Sequence, residues 1–129
     1  MIYAAYGTNL CVKRMKSICP DALFLGSKII NNWKLVFNKL PNLIPEEGCN
    51  CGIGLWEISL ECEKNLDKWE EGYFKDYITD EKFLIYRMKK PGLSLPDKKV
   101  LNYVKKGFED FNLPTELLTE ALKASIKED

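Results

Sequence analysis

Histidine is absent from the 129 residues. Its absence removes Ser-His and Cys-His nucleophiles, HExxH zinc chemistry and imidazole acid/base catalysis together, and leaves proton transfer to Glu, Asp, Lys, Tyr or Cys. A net charge is missing too, because Lys plus Arg and Asp plus Glu number 19 each. No summed field therefore draws in phosphate backbones or anionic lipid, and nucleic acid is not expected as a partner. No apolar run approaches the length of a bilayer span, and Met1-Ile2-Tyr3 enters a strand-like segment without a basic leader or an apolar signal stretch. Neither a membrane partner nor export is expected. What is present is the mix of a folded chain, 46% hydrophobic, 29% charged and 12% aromatic. The length suits one core, so residues 1–129 are read as a single domain.

Cysteine is sparse and uneven, with five residues at positions 11, 19, 49, 51 and 62. An odd number at irregular spacing argues against a disulfide framework, and five free thiols in a cytoplasmic setting are expected. In Cys49-Asn50-Cys51 both thiols share a strand face with Ile53 and Leu55, which suits packing. A zinc site without histidine needs four thiolates, and this spacing is no known knuckle, so no metal is expected.

Met1 to Tyr6 reads as a short strand stopped by Gly7, and Asn9 to Cys19 as a short helix ended by Pro20. Three extended segments follow, Ala22 to Ile30, Trp33 to Asn38 and Cys51 to Ser59, separated by turn residues at Asn31-Asn32 and Pro45-Glu46-Glu47-Gly48. Ser59 caps a predicted helix to Glu71 with Gly72 as its stop, and two strands, Tyr73 to Ile78 and Lys82 to Met88, come next. Ser94 and Asp97 have capping-box spacing before a helix with Val100, Val104, Phe108 and Phe111 on one face. Pro114 opens a last helix, before the charged tail Lys127-Glu128-Asp129. Contiguous strands with helices set apart from them predict an α+β fold with a mixed, mainly antiparallel sheet.

Two stretches could carry chemistry. In Tyr6-Gly7-Thr8-Asn9-Leu10 a strand end, a glycine turn and a Thr/Asn pair gather free backbone N–H groups, which suits a carboxylate or an oxyanion as well as a plain helix cap. In Leu66-Asp67-Lys68-Trp69-Glu70-Glu71-Gly72, helical spacing puts Glu70 on the apolar face of Leu66 and Glu71 on the polar side with Asp67. A carboxylate among apolar groups is a usable base, and a satisfied structural glutamate at a helix end is the equal alternative by spacing alone.

At these residues the chain resembles the γ-glutamyl cyclotransferase-like family, with its γ-glutamylamine cyclotransferase-type and AIG2-like proteins. Tyr3-Ala4-Ala5-Tyr6-Gly7-Thr8-Asn9-Leu10 is similar to the family's opening YxAYGSNL, with Thr8 in the serine position. Gly54-Leu55-Trp56 resembles its G-x-hydrophobic-Trp strand, Leu66 to Glu70 its LDxxE helix end, and Pro96 to Pro114 with Gly107 its C-terminal helix and turn. Here Glu71 is inserted between Glu70 and Gly72, and Val100 stands where the family often has a tyrosine. The resemblance implies a small mixed, mainly antiparallel β-barrel with peripheral helices. It implies an enzyme that cyclises a γ-glutamyl group to 5-oxoproline and releases an amine or amino acid. The catalytic acid/base would be Glu70, with Glu71 as the alternative, and Tyr3, Ala4, Ala5, Tyr6, Gly7, Thr8, Asn9 and Leu10 would bind substrate. No cofactor is implied; the partner is a small γ-glutamyl molecule, and the chain is a monomer or homodimer. The alternative reading is a non-catalytic binding or protein-interaction module on the same fold.

Overall fold

The computed structural model describes residues 1–126, so the charged tail Lys127 to Asp129 lies outside the described residues. The elements in chain order are β1 (Ile2–Ala5), a 3-10 turn (Thr8–Leu10), α1 (Val12–Ile18), β2 (Leu23–Asn38), β3 (Leu40–Glu57), α2 (Leu60–Trp69), β4 (Tyr73–Ile78), β5 (Phe83–Met88), α3 (Lys98–Asp110) and α4 (Thr115–Ala124). The fold is α+β, and the sheet runs β2-β3-β1-β5-β4, antiparallel throughout except for the central β1–β5 pair. Short β1 is buried between two neighbours, which is why Tyr3, Ala4 and Ala5 are core residues whichever face they point to.

The middle of the chain differs from the sequence expectation. Instead of three strands there is one long hairpin of 16 and 18 residues, turning at Lys39, whose φ is 65°. The expected turns lie opposite one another across this ladder, Asn31 facing Asn50 and Trp33 facing Pro45. Asn32 and Gly48 take positive φ there, and the Gly48 N–H donates to Asn32 Oδ1 at 3.1 Å. Turn residues in register on both strands bend the hairpin together without ending it.

The sheet is open and not a closed barrel. The tip of the hairpin curls toward β4 and β5, but side chains join them in place of a ladder. Tyr73 Oη donates to the Pro41 carbonyl at 2.5 Å, Arg87 Nε to the Leu43 carbonyl at 3.2 Å, and the Met88 N–H to Asn42 Oδ1 at 2.9 Å. Pro41 brings no N–H to that edge, which breaks the pairing that would close it.

Two local expectations change as well. Asp97, not Ser94, caps α3, its Oδ1 accepting from the Val100 N–H at 2.8 Å. Ser94 instead joins the hairpin, its N–H donating to the Phe37 carbonyl at 3.0 Å. The cysteines are not all free: Cys19, at the end of α1, is disulfide-bonded to Cys62 in the first turn of α2, while Cys11, Cys49 and Cys51 are free. The pair is 43 residues apart and meets only because the two helices pack together, so spacing along the chain could not reveal it. Denatured without reductant, the protein should titrate three thiols, and five after reduction; five before reduction would contradict the pairing. Among the described residues no helix is long and apolar enough to cross a membrane.

Candidate active site

A cleft opens where β1 runs out. Its enclosed part is small, about 30 Å³, and its walls are Tyr3, Tyr6, Gly7, Thr8, Asn9, Pro41, Glu70, Tyr73 and Tyr86. That is well below the usual range for ligand pockets, so the enclosed part seats only a small polar group, with the rest of a ligand at the open mouth.

The first wall is the turn after β1. A Cβ on Gly7 would stand 2.5 Å from the Pro41 side chain, so only glycine lets the turn pass under the hairpin tip. Thr8 and Asn9 cap no helix: neither the 3-10 turn nor α1 has a side-chain cap. The N–H groups of Gly7, Thr8 and Asn9 find no acceptor among the described residues. They stand beside the cleft as unpaired donors.

The second wall is the end of α2. Ser59 starts this helix by accepting from the Cys62 N–H at 3.1 Å, and buried Leu66 sets its inward face. Glu70 follows one turn later as the C-cap just past Trp69, its N–H donating to the Leu66 carbonyl at 2.9 Å. The inserted Glu71 sits with Gly72 in the turn closed by the Tyr73 N–H on the Glu70 carbonyl, and is exposed. Spacing from Leu66 therefore puts Glu70, and not Glu71, in the cleft. Asp67 does not line it but anchors the helix end, accepting from Tyr86 Oη at 2.7 Å and pairing with Lys75 Nζ at 3.0 Å.

Burial pushes the Glu70 carboxyl up to about 7, with the Arg14 guanidinium pulling the other way. Asn9 Nδ2 donates both to Glu70 Oε1, at 3.3 Å, and to Tyr3 Oη, at 3.1 Å. Burial holds the four cleft tyrosines protonated, well above the ordinary tyrosine range. Three of them direct their protons to protein acceptors: Tyr6 to the Tyr86 carbonyl, Tyr73 to the Pro41 carbonyl and Tyr86 to Asp67. Tyr3 accepts from Asn9 and has no acceptor of its own among the described residues, so its proton is left over at the cleft.

Of the residues expected at the site, Tyr3, Tyr6, Gly7, Thr8, Asn9 and Glu70 come together. Ala4, Ala5 and Leu10 do not line the cleft; they are fully buried, the alanines in the central strand and Leu10 against Gly107 and Gly54. Val100 lies in the first turn of α3, away from the cleft wall. Sequence reasoning missed Pro41, Tyr73 and Tyr86. Tyr73 follows directly on the Glu71-Gly72 turn, a signal that was available. Nothing local marks Tyr86, because β5 is buried on both faces and shows no alternation.

No family model matches the chain, and no curated protein matches it in sequence. Solved structures share its fold. A γ-glutamyl cyclotransferase superposes with a TM-score of 0.80 over 100% of this chain and 89% of its own, at 22% identity. An uncharacterised Homo sapiens protein, loc79017, gives 0.77 over 99% and 89%, also at 22%. YkqA from Bacillus subtilis gives 0.78 over 99% of this chain and 56% of its own, at 15% identity. At such identities the shared property is the fold, and the chemistry must be argued from the cleft.

Proposed function

We propose that this protein is a γ-glutamyl cyclotransferase-type enzyme, which converts a γ-glutamyl compound into 5-oxoproline and a free amine or amino acid. The observation that carries the reading is Glu70. It is a largely buried carboxylate, raised to about 7, facing a turn of unpaired N–H donors across a small cleft. A group that titrates near neutrality can take and return a proton with little loss in either direction.

The reaction is an intramolecular aminolysis. The Glu70 carboxylate removes a proton from the substrate's α-ammonium. The amine nitrogen attacks the γ-carbonyl carbon, forming the ring C–N bond and putting negative charge on the carbonyl oxygen. As that oxyanion collapses, the bond to the leaving nitrogen breaks and Glu70 gives it the first proton. The second proton, left on the ring nitrogen by the attack, then passes through Glu70 to the released amine, which departs as the ammonium and leaves Glu70 ionised. Atoms and charge balance without a co-reactant. The N–H groups of Gly7 to Asn9 and the free Tyr3 O–H are the donors for the oxyanion and the substrate carboxylate. Because the base is the ionised form, kcat/KM should rise with pH through about 7.

Tyr3→Phe removes only the leftover donor and the Asn9 acceptor. A fall on the order of 100-fold in kcat is expected, with a smaller change in KM. Steady-state kinetics check this, and an unchanged kcat would take Tyr3 out of the chemistry. The function itself is tested by 5-oxoproline release over a panel of γ-glutamyl dipeptides, γ-glutamyl amines and glutathione. Turnover of at least one class is expected, and turnover of none would refute the reading.

A further inference from the structure

Arg14 lies outside the cleft wall, yet it touches what the cleft depends on. Its Nε donates to Asn9 Oδ1 at 3.3 Å, and its guanidinium lies 5.6 Å from the Trp69 ring centroid and 5.1 Å from that of Tyr103. These three side chains come from the three helices α1, α2 and α3. Trp69 is 61% exposed, unusual for so large an apolar residue, and Arg14 gives it a partner.

We propose that Arg14 is a positioning residue of this site: clamped between Trp69 and Tyr103, its guanidinium fixes the Asn9 amide so that the amide NH2 faces Glu70 and Tyr3. The inference rests on the reading of Glu70 as the base, and deepens it. A guanidinium carries donors only, so the amide atom facing it must be the oxygen. With Oδ1 held there, Nδ2 is turned toward Glu70 Oε1 and Tyr3 Oη. Tyr3 is thereby made an acceptor toward Asn9, and its proton is left for a ligand. Asn9 is only 3% exposed, so bulk water does not do this orienting. One fixed donor thus sets the direction of every hydrogen bond along Arg14, Asn9 and Tyr3.

Arg14 also supplies charge. The groups around Glu70 are Tyr3 on β1, Tyr6 and Asn9 at the turn, Tyr73 on β4, Tyr86 on β5 and Asp67 on its own helix. The tyrosines are neutral near pH 7, and Asp67 is engaged by Lys75 and Tyr86. Arg14 is the cation that acts on Glu70 against its burial.

The test separates orientation from charge. Arg14→Gln keeps a donor for Asn9 Oδ1 and loses the charge; Arg14→Met loses both; Arg14→Lys keeps the charge. The Glu70 carboxyl is followed by 13C NMR against pH, its signal assigned by disappearance in Glu70→Gln, with circular dichroism as a folding check. The wild-type midpoint is expected at about 7. It should move up in Arg14→Gln and Arg14→Met and return toward the wild-type value in Arg14→Lys. In kcat/KM profiles Arg14→Gln should lose more activity at about pH 6 than at about pH 9, where the base is ionised anyway, while Arg14→Met should also lower the plateau. An unmoved midpoint in both neutral variants would overturn the proposal. An equal rise in all three would overturn it too, since packing and not charge would then be the cause. The NMR titration needs no substrate, so it decides the role of Arg14 even if no γ-glutamyl compound is turned over, a result that would count against the proposed function alone.

Discussion

Glu70→Gln should abolish measurable cyclisation, with a fall in kcat of roughly 100- to 10,000-fold, the usual contribution of a positioned proton-transfer group. The amide keeps the shape of the side chain and can still meet Asn9, so γ-glutamyl compounds should bind with little change in affinity, as calorimetric titration would show. Glu71→Gln should be mild, because Glu71 is exposed in the turn beyond the helix. Loss of turnover in Glu71→Gln with retention in Glu70→Gln would reverse the assignment of the two carboxylates.

The second large effect concerns stability. A Cβ at Gly107 would stand 2.2 Å from Leu10 Cβ, 2.7 Å from the Leu10 carbonyl carbon and 2.8 Å from the Cys11 nitrogen. Alanine gains about 1 kcal/mol over glycine in a helix interior, but two of these three atoms are main chain and cannot swing away. Overpacking of this kind typically costs about 1 to 3 kcal/mol, and more where the backbone must move. Gly107→Ala should therefore destabilise the fold by up to about 2 kcal/mol net and lower the unfolding midpoint in urea. Because α3 then no longer seats on the turn that carries Asn9, activity should fall before global unfolding. An unchanged midpoint would mean that α3 and the 3-10 turn do not pack this closely.

What was legible in the sequence is what is encoded locally. Glu70 could be told from Glu71 because a helix repeats every 3.6 residues and Leu66 marks its buried side. The first wall could be placed because a glycine after a short apolar strand, followed by Thr8 and Asn9, is a local turn. The missed features are long-range. Pro41 reaches the cleft only because a bent hairpin curls over Gly7, and Tyr86 only because β5 lies parallel to β1. Asn31-Asn32 and Pro45 to Gly48 carry the composition of turns but face each other in a ladder, where the same backbone angles produce a bend. Cys19 and Cys62 meet through helix packing that their spacing does not encode. Ala4, Ala5 and Leu10 belong to the motif by sequence and to the core by position, since a motif that ends a strand holds core and cleft residues together.

The most direct test is a product balance. The wild-type protein, incubated near pH 7 with the γ-glutamyl compound it turns over best, should form 5-oxoproline and free amine in equal amounts, with no free glutamate, and Glu70→Gln should form neither. Free glutamate in place of 5-oxoproline would mean that water, and not the substrate's own α-amine, attacks the γ-carbonyl. Binding without any product would contradict catalysis outright and leave the cleft as a ligand-binding site on this fold.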